Sequence, residues 1–148
     1  MGEVIVVCGA LAFKGDKFIL VKEAQPICYG KWNFPAGYLD AGEDICTAAV
    51  REVKEETNVD VVLDGLIGVY GSKKEGKSVV RFIFKATVVG GELKHREGEL
   101  LDARWVSVDE FNKIPDSELR VLDLRDTLRD YQTKPLIPLD RLKMVALK

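Results

Sequence analysis

One run of the sequence, residues 37–59, carries charged residues at spacings that few folds and few chemistries require. When the run is drawn as a helix at about 100° per residue, Glu52, Glu55 and Glu56 fall within an arc of about 100°. Like charges this close repel one another, and the arrangement costs stability unless a cation lies among the oxygens. Mg²⁺ and Mn²⁺ prefer carboxylate and water ligands. The run therefore predicts a helix that presents a divalent-metal site.

The residues around these glutamates separate this interpretation from a simpler one. Stretches rich in Glu, Lys and Arg are usually solvated helix faces. Here Arg51 precedes the glutamates and can pair with Glu43 or Glu55, which would keep an acid ionised. Upstream, the aromatic and glycine residues of 32–37 require a strand followed by a sharp loop, and residues 42–43 then open the helix. This context favours a metal site over a solvated helix face.

The complete pattern, G-x5-E-x7-R-E-V-x-E-E-x-N-V, resembles the Nudix box of the MutT-like pyrophosphohydrolases. One fixed position departs from that pattern, because Asn58 stands where the family normally has Gly. Asn is the next most tolerant residue at a left-handed helix C-cap, so we expect the loop-helix-loop to be retained. The resemblance implies an α/β fold, an α/β/α sandwich with a mixed central sheet, and Mg²⁺ as cofactor with Mn²⁺ as a substitute.

The resemblance also implies roles for the residues of the box. Glu52 and Glu56, four residues apart, are expected to bind the metal directly, and Glu55 is expected to be a third ligand or to bridge two ions. The carbonyl of Ala36 is the corresponding backbone ligand. Glu43 is expected to orient the box arginine, Arg51, or a metal-bound water.

The general base is harder to assign from the sequence. Glu99 lies in the polar loop 94–99, where many Nudix enzymes carry an additional metal ligand or a base; the alternative is a solvated loop acid. Glu97 and Asp102 are further candidates. His95, the single histidine, has a suitable pKa for a base, but its place between two basic residues favours simple exposure.

Three side chains outside the box are candidates for binding the substrate. Arg81 opens an apolar strand and is either a solvated strand end or a clamp on a substrate phosphate. Lys22, at the end of a strand, has a similar claim. Tyr38 is expected to stack on a ring of the substrate, with Tyr70 as the alternative. The arginines of the late helix are interpreted as solvated charges paired with its aspartates: Arg120, Arg125, Arg129, Asp123, Asp126 and Asp130.

Composition fits one domain over residues 1–148, since 148 residues with 47% apolar content can bury about two-thirds of the unfolded surface. The formal net charge of -2 gives no electrostatic case for nucleic acid or an anionic membrane as partner. We expect a small anionic pyrophosphate substrate and a monomer or homodimer. Three cysteines without CxxC spacing indicate reduced thiols and a cytoplasmic location. Residues 4–13 are apolar but too few to span a bilayer.

The pattern of apolar and turn residues predicts the order of the elements. Strands are expected at 4–13, 17–22, 32–40, 59–72, 78–89 and 101–106, with a turn at 73–77. Helices are expected at 43–57, 108–113 and 117–131, the last with Leu119, Leu122 and Leu128 as an apolar stripe.

Similarity outside the box suggests a branch of the family. Residues 81–84, 104–107 and 119–139 resemble the NudJ branch, which acts on nucleoside triphosphates and thiamine-type pyrophosphates. The proline typical of ADP-ribose hydrolases is absent, and residues 73–75 stand in its region. Three functions stay open at this stage: a Mg²⁺-dependent pyrophosphate hydrolase, a catalytically silent ligand sensor, and an RNA cap-removing enzyme. The intact glutamates favour the first.

Overall fold

The computed structural model describes residues 2–148, and a seven-stranded mixed sheet forms the centre of this part of the chain. Its strands are β1 (Glu3–Lys14), β2 (Lys17–Glu23), β3 (Trp32–Asn33), β4 (Ala36–Tyr38), β5 (Val59–Lys74), β6 (Lys77–Gly91) and β7 (Leu100–Ser107). The α-helices are α1 (Ile45–Thr57), α2 (Val108–Asn112) and α3 (Asp123–Thr133). Short 3₁₀ turns lie at Pro26–Cys28, Asp116–Glu118 and Leu139–Arg141.

The strand order is β3-β2-β1-β6-β5, with β4 beside β1 and β7 beside β2. The central pair, β1 and β6, is parallel, and the other pairs are antiparallel. Residues along β1 alternate between two cores, since successive side chains of a strand point to opposite faces. Cys8 and Ala10 join the core under α1, whereas Leu11 and Phe13 join the core under α3. This arrangement confirms the predicted α/β/α sandwich.

The ends of α1 are fixed by two side chains. Asp44 is the N-cap, and its carboxylate accepts a hydrogen bond of 2.8 Å from the backbone N–H of Thr47. The helix therefore starts two residues later than expected. At the other end Asn58 adopts the left-handed conformation with φ of 66°, as expected for the residue that replaces Gly. Its side chain also donates to the carbonyl of Glu92 at 2.9 Å, which joins the helix end to the end of β6.

The predicted helix at 117–131 is wrong in its first part. Helix α3 begins only at Asp123, because the chain before it is tied to β3 by its backbone: the N–H of Arg120 donates to the carbonyl of Trp32 at 2.8 Å. The apolar stripe changes accordingly. Leu119 is buried outside the helix and Leu122 is 58% exposed; the helix buries the predicted Leu128 together with Leu124.

The described residues also bear on two expectations from composition. All three cysteines are free thiols, as the sequence predicted, and Cys8 and Cys28 are buried. Every helix within residues 2–148 is too short or too polar to cross a lipid bilayer.

Candidate active site

Gly37 in β4 lets the carboxylate of Glu52 lie directly against the backbone. A Cβ atom added at Gly37 would be 2.1 Å from Oε2 of Glu52, far inside van der Waals contact. Gly9 serves the same purpose on β1, where a Cβ would be 2.4 Å from the Cβ of Ala36. These two glycines allow β1, β4 and the glutamates of α1 to meet closely.

The guanidinium of Arg51 is the centre of an ion-pair network. It donates to both oxygens of Glu43, at 2.6 Å from Nε and 2.9 Å from Nη2. Its Nη1 donates to Glu52 at 2.8 Å and to Glu55 at 3.2 Å, and Nη2 donates to the carbonyl of Tyr38 at 3.0 Å. These bonds hold the pKa of the Glu43 carboxyl below its usual value. The expected contacts of Arg51 with Glu43 and Glu55 are therefore present.

Glu56 projects from the next turn of α1 toward β4. Its Oε1 accepts a hydrogen bond of 2.7 Å from the backbone N–H of Ala36. Burial raises the pKa of this carboxyl well above its usual value, and repulsion from Glu23, Glu52 and Glu99 acts in the same direction. Among the described residues Glu56 itself forms no ion pair, whereas Arg51 contacts Glu52 and Arg96 lies 3.5 Å from Glu99.

Glu23 is a member of this acidic group that the sequence interpretation missed. The pairing of β2 with β7 shifts register between Lys22 and Glu23. The carboxylate of Glu23 accepts a hydrogen bond of 3.2 Å from the side chain of Asn33. Burial raises the pKa of the Glu23 carboxyl. The following residue, Ala24, donates its N–H to the carbonyl of Glu99 at 3.2 Å. No motif marks Glu23, since the register shift that turns it inward depends on strand pairing.

Glu99, a candidate from the sequence, lies at the edge of the same group, and its side chain is about half exposed. The guanidinium of Arg96 lies 3.5 Å from Glu99 and 3.7 Å from Glu55, so it bridges the loop and α1. The backbone N–H of Arg96 also donates to the carbonyl of Glu56 at 3.1 Å. The loop carrying Glu99 is thus attached to the helix that carries the box.

The other candidates for a base lie differently. Asp102 pairs with Arg104 at 2.7 Å and accepts from the N–H of Ala103 at 2.8 Å, so its oxygens are engaged along its own strand. His95 is partly buried and Glu97 is exposed, and both lie in the loop outside the cleft lining.

A cleft of about 490 Å³ passes between these elements and has two distinct ends. One end carries the acidic group. The other end is formed by the open face of the sheet beyond α3, with the half-buried apolar side chains of Ile5, Val7 and Val79. Lys77 and Arg81 also line this end, and Tyr38 forms part of the wall.

The side chains at the acidic end are of the type that a hard divalent cation binds, because they are carboxylates. Gly37 leaves the space that the approach of Glu52 requires. In the described residues no three His, Cys, Asp or Glu side chains are drawn together closely enough to hold a metal ion. Arg51 instead contacts oxygens of Glu52 and Glu55.

Arg81 is not a solvated strand end, since its side chain is only 12% exposed. Its Nη2 donates to Ser72 at 2.6 Å and to Asp123, the first residue of α3. Its Nε is a buried side-chain atom that lacks a hydrogen-bond partner among the described residues. An unpaired buried donor of this kind costs about 1–3 kcal/mol.

Two of the other candidates for substrate contact have different surroundings in the structure. The ammonium of Lys22 lies over the ring of Trp32, 5.4 Å from its centroid, and outside the cleft lining. The hydroxyl of Tyr70 donates to Asp130 at 2.7 Å under α3, so its ring is not free to stack. Tyr38 does line the cleft and is 64% exposed.

The interpretation of the late arginines also changes. Arg120 lines the cleft near Glu23 and is not part of a solvated helix face. Arg125 pairs with Asp116 at 2.6 Å. Of the expected ion pairs only Arg129 with Asp126 is formed. Arg120 lies outside α3 because the helix starts only at Asp123.

The comparison with family models identifies the chain. A model described as the NUDIX domain matches residues 4–127. The chain belongs to the Nudix family. The matched residues include every member of the Nudix box and Glu99 as well.

Individual Nudix relatives support this assignment. The chain is 34% identical over 140 residues to the 8-oxo-dGDP phosphatase NUDT18 of Danio rerio, covering 92% of this chain and 42% of the relative. It is 31% identical over 120 residues to the ADP-ribose pyrophosphatase of Methanocaldococcus jannaschii, covering 80% and 67%. A solved NUDIX hydrolase from Nitrosomonas europaea superposes with a TM-score of 0.86 at 30% identity, covering 97% of this chain and 98% of that one.

The first curated relatives are much longer than the region that matches this chain. The chain spans only 31% to 42% of the length of the first three curated relatives that it matches. Two of the relatives are named as an 8-oxo-dGDP phosphatase and an ADP-ribose pyrophosphatase.

Proposed function

We propose that this chain is a Mg²⁺-dependent hydrolase that cleaves a phosphoanhydride bond of a nucleoside di- or triphosphate or a related small pyrophosphate. The observation that supports the proposal best is the accumulation of carboxylates around Glu56 at one end of a cleft, held by Arg51 and by the close approach at Gly37. Family membership and the names of the relatives agree with it.

The residues proposed to hold the cation are Glu52, Glu55 and Glu56, the carbonyl of Ala36, and Glu99. When bound, Mg²⁺ or Mn²⁺ neutralises phosphate charge and lowers the pKa of a bound water. Arg51 orients the carboxylates of Glu52 and Glu55 by donating a hydrogen bond to each.

Glu43 has a supporting role in this proposal. Its bidentate bond to Arg51 fixes the plane of the guanidinium, and its Oε1 also accepts from the N–H of Asp40 at 3.2 Å. Glu43 therefore acts on the glutamates through Arg51 and orders the loop before α1.

A catalytically silent sensor of the same ligand is the second candidate. The presence of Glu52, Glu55 and Glu56 together favours the hydrolase, because a sensor does not need a complete set of metal ligands. Within the hydrolase proposal, a NudJ-like preference for nucleoside triphosphates or thiamine-type pyrophosphates is the narrower form. An RNA cap-removing role has less support, since the net charge of -2 offers little attraction for a polyanion.

A substrate screen tests the proposal. Nucleoside di- and triphosphates, nucleotide sugars, ADP-ribose and thiamine pyrophosphate are incubated with the protein and Mg²⁺, and the released phosphate species is identified. We expect turnover of at least one nucleotide, lost in excess chelator and restored by Mg²⁺ or Mn²⁺. Tight binding of a nucleotide without turnover would support the sensor, and full turnover in chelator would exclude the metal mechanism.

Metal binding should also be visible without substrate. Millimolar Mg²⁺ is expected to raise the thermal midpoint, because a ligand that binds only the native state stabilises it by mass action. The double variant Glu52→Gln, Glu56→Gln should lose this response, and relief of repulsion should raise its midpoint in chelator. Glu75→Gln, in the exposed β5–β6 turn, is the matched control and should respond like the wild type. An unchanged response of the double variant would place the ion elsewhere.

Glu99 is proposed as a base or additional ligand. If so, Glu99→Gln should lower kcat by about 10²-fold, in line with typical general-base contributions, with substrate affinity nearly unchanged. The acidic limb of the pH–rate profile should become flatter. Wild-type kcat with an unchanged acidic limb would show that Glu99 is a solvated acid, and Glu52 or Glu23 would be tested next.

Four further properties stay predictions from the sequence. They are the single-domain organisation of residues 1–148, the cytoplasmic location, a small anionic substrate in place of nucleic acid or membrane, and a monomeric or homodimeric state. Size-exclusion chromatography with light scattering tests the last of these.

A further inference from the structure

The end of the cleft opposite the acidic group is a flat apolar surface. Strand register aligns Ile5 with Val79 and Val79 with Ser72 in one row, and Val7 with Arg81 in the next. The three apolar residues lie on two neighbouring strands about 4.8 Å apart, with alternate residues about 6.8 Å apart along a strand, so the apolar surface measures roughly 7 by 5 Å. It can therefore accommodate one planar ring system.

Polar groups border this surface on one side. Arg81 lines the cleft, and its Nη2 is held by Ser72 and by Asp123. Its Nε is buried and has no partner among the described residues, which leaves Nη1 as the donor available to a molecule in the cleft. A guanidinium offers only donors, so any group that it recognises must present an acceptor.

The charge of Arg81 is already balanced by Asp123, and this argues against a phosphate as its partner. A phosphate at this position would face the carboxylate of Asp123 as well as the guanidinium. Lys77, the other cation at this end, lies 3.7 Å from a carboxylate oxygen of Glu3. This end of the cleft therefore suits a neutral group with hydrogen-bond acceptors.

We propose that Arg81 and Asp123 form a specificity pair that recognises a carbonyl-bearing nucleobase, with the ring on the surface of Ile5, Val7 and Val79. The pair deepens the proposed function, on which it rests, because it assigns the non-phosphate part of the substrate. Guanine presents the O6 acceptor to an arginine at the position where adenine carries its N6 amino donor, so one donor of Arg81 is enough to distinguish the two bases. Guanine nucleotides are therefore preferred over adenine nucleotides. In this assignment Arg81 is not the phosphate clamp expected from the sequence.

Calorimetric binding of GMP, AMP and inorganic tripolyphosphate tests the pair without requiring hydrolysis, because neither monophosphate has a phosphoanhydride bond. The variant is Arg81→Gln with Asp123→Asn, which removes both charges together and leaves none buried without a counterion. The matched control is Arg129→Gln with Asp126→Asn, an exposed ion pair on α3, the helix that carries Asp123. Circular dichroism and the thermal midpoint establish that both double variants are folded.

We expect the wild type to bind GMP at least tenfold more tightly than AMP. The Arg81, Asp123 double variant should lose this preference and keep its affinity for tripolyphosphate, while the control keeps both. An equal loss of tripolyphosphate affinity would identify Arg81 as a phosphate ligand and overturn the assignment, as would equal binding of GMP and AMP by the wild type. A GMP preference that depends on the pair, in a chain that turns over no nucleotide, would support recognition while contradicting the proposed hydrolase.

Discussion

Glu56→Gln should lower kcat by two or more orders of magnitude, which corresponds to about 3 kcal/mol of barrier. Glu56 is the box carboxylate with the strongest burial and repulsion, and its nearest partner is only the N–H of Ala36. Gln keeps the shape and can still accept that hydrogen bond, but it cannot neutralise a cation. The effect should therefore appear in turnover and metal affinity while the fold is retained.

Steady-state kinetics over a range of Mg²⁺ concentrations measure this effect, with calorimetric Mn²⁺ titration as the second readout. Glu75→Gln, on the exposed turn, serves as the control for loss of one surface carboxylate. Activity of the Glu56 variant within about fivefold of the wild type would contradict its assignment as a ligand.

Gly37→Ala should be nearly as damaging for activity, although it adds a single methyl group. The new Cβ would lie 2.1 Å from the carboxylate of Glu52, so the carboxylate must move. Because the end of a flexible side chain yields more easily than backbone does, we expect only a small loss of stability together with a fall in kcat of about 10²-fold. The thermal midpoint and kcat, measured on the same preparation, separate the two effects.

Gly71→Ala is the matched control for this substitution. A Cβ at Gly71 would meet the carbonyl of Val79 at 3.5 Å, an ordinary contact, and Gly71 is outside the cleft lining. It should keep wild-type kcat. If Gly37→Ala also kept wild-type kcat and metal affinity, the position of Glu52 against β4 would not be needed for catalysis.

The box and the fold could be predicted from the sequence because their signals are local. The spacing of Glu52, Glu55 and Glu56 is set by helix geometry, and the left-handed Asn58 follows from its position after the last helical turn. The continuous apolar run of β1 likewise identifies a strand between two cores.

The rest of the cleft depends on pairing between distant segments, which no local pattern records. Glu23 reaches the acidic group through a register shift between β2 and β7. Arg120 enters the cleft because its backbone bonds to Trp32, and the same bond makes the predicted helix start later, at Asp123. Asp123 pairs with Arg81, 42 residues away, although the sequence suggested neighbours on its own helix.

The left-handed Asn58 has a consequence for engineering by family consensus. Replacing it with the consensus Gly would relieve backbone strain of about 1–2 kcal/mol. The same change would remove the hydrogen bond of 2.9 Å from its side chain to the carbonyl of Glu92, whose net worth is about 0.5–1.5 kcal/mol. The two contributions to the free energy of unfolding nearly cancel. Asn58 therefore ends the helix about as well as Gly would, and reversion to Gly should not raise stability.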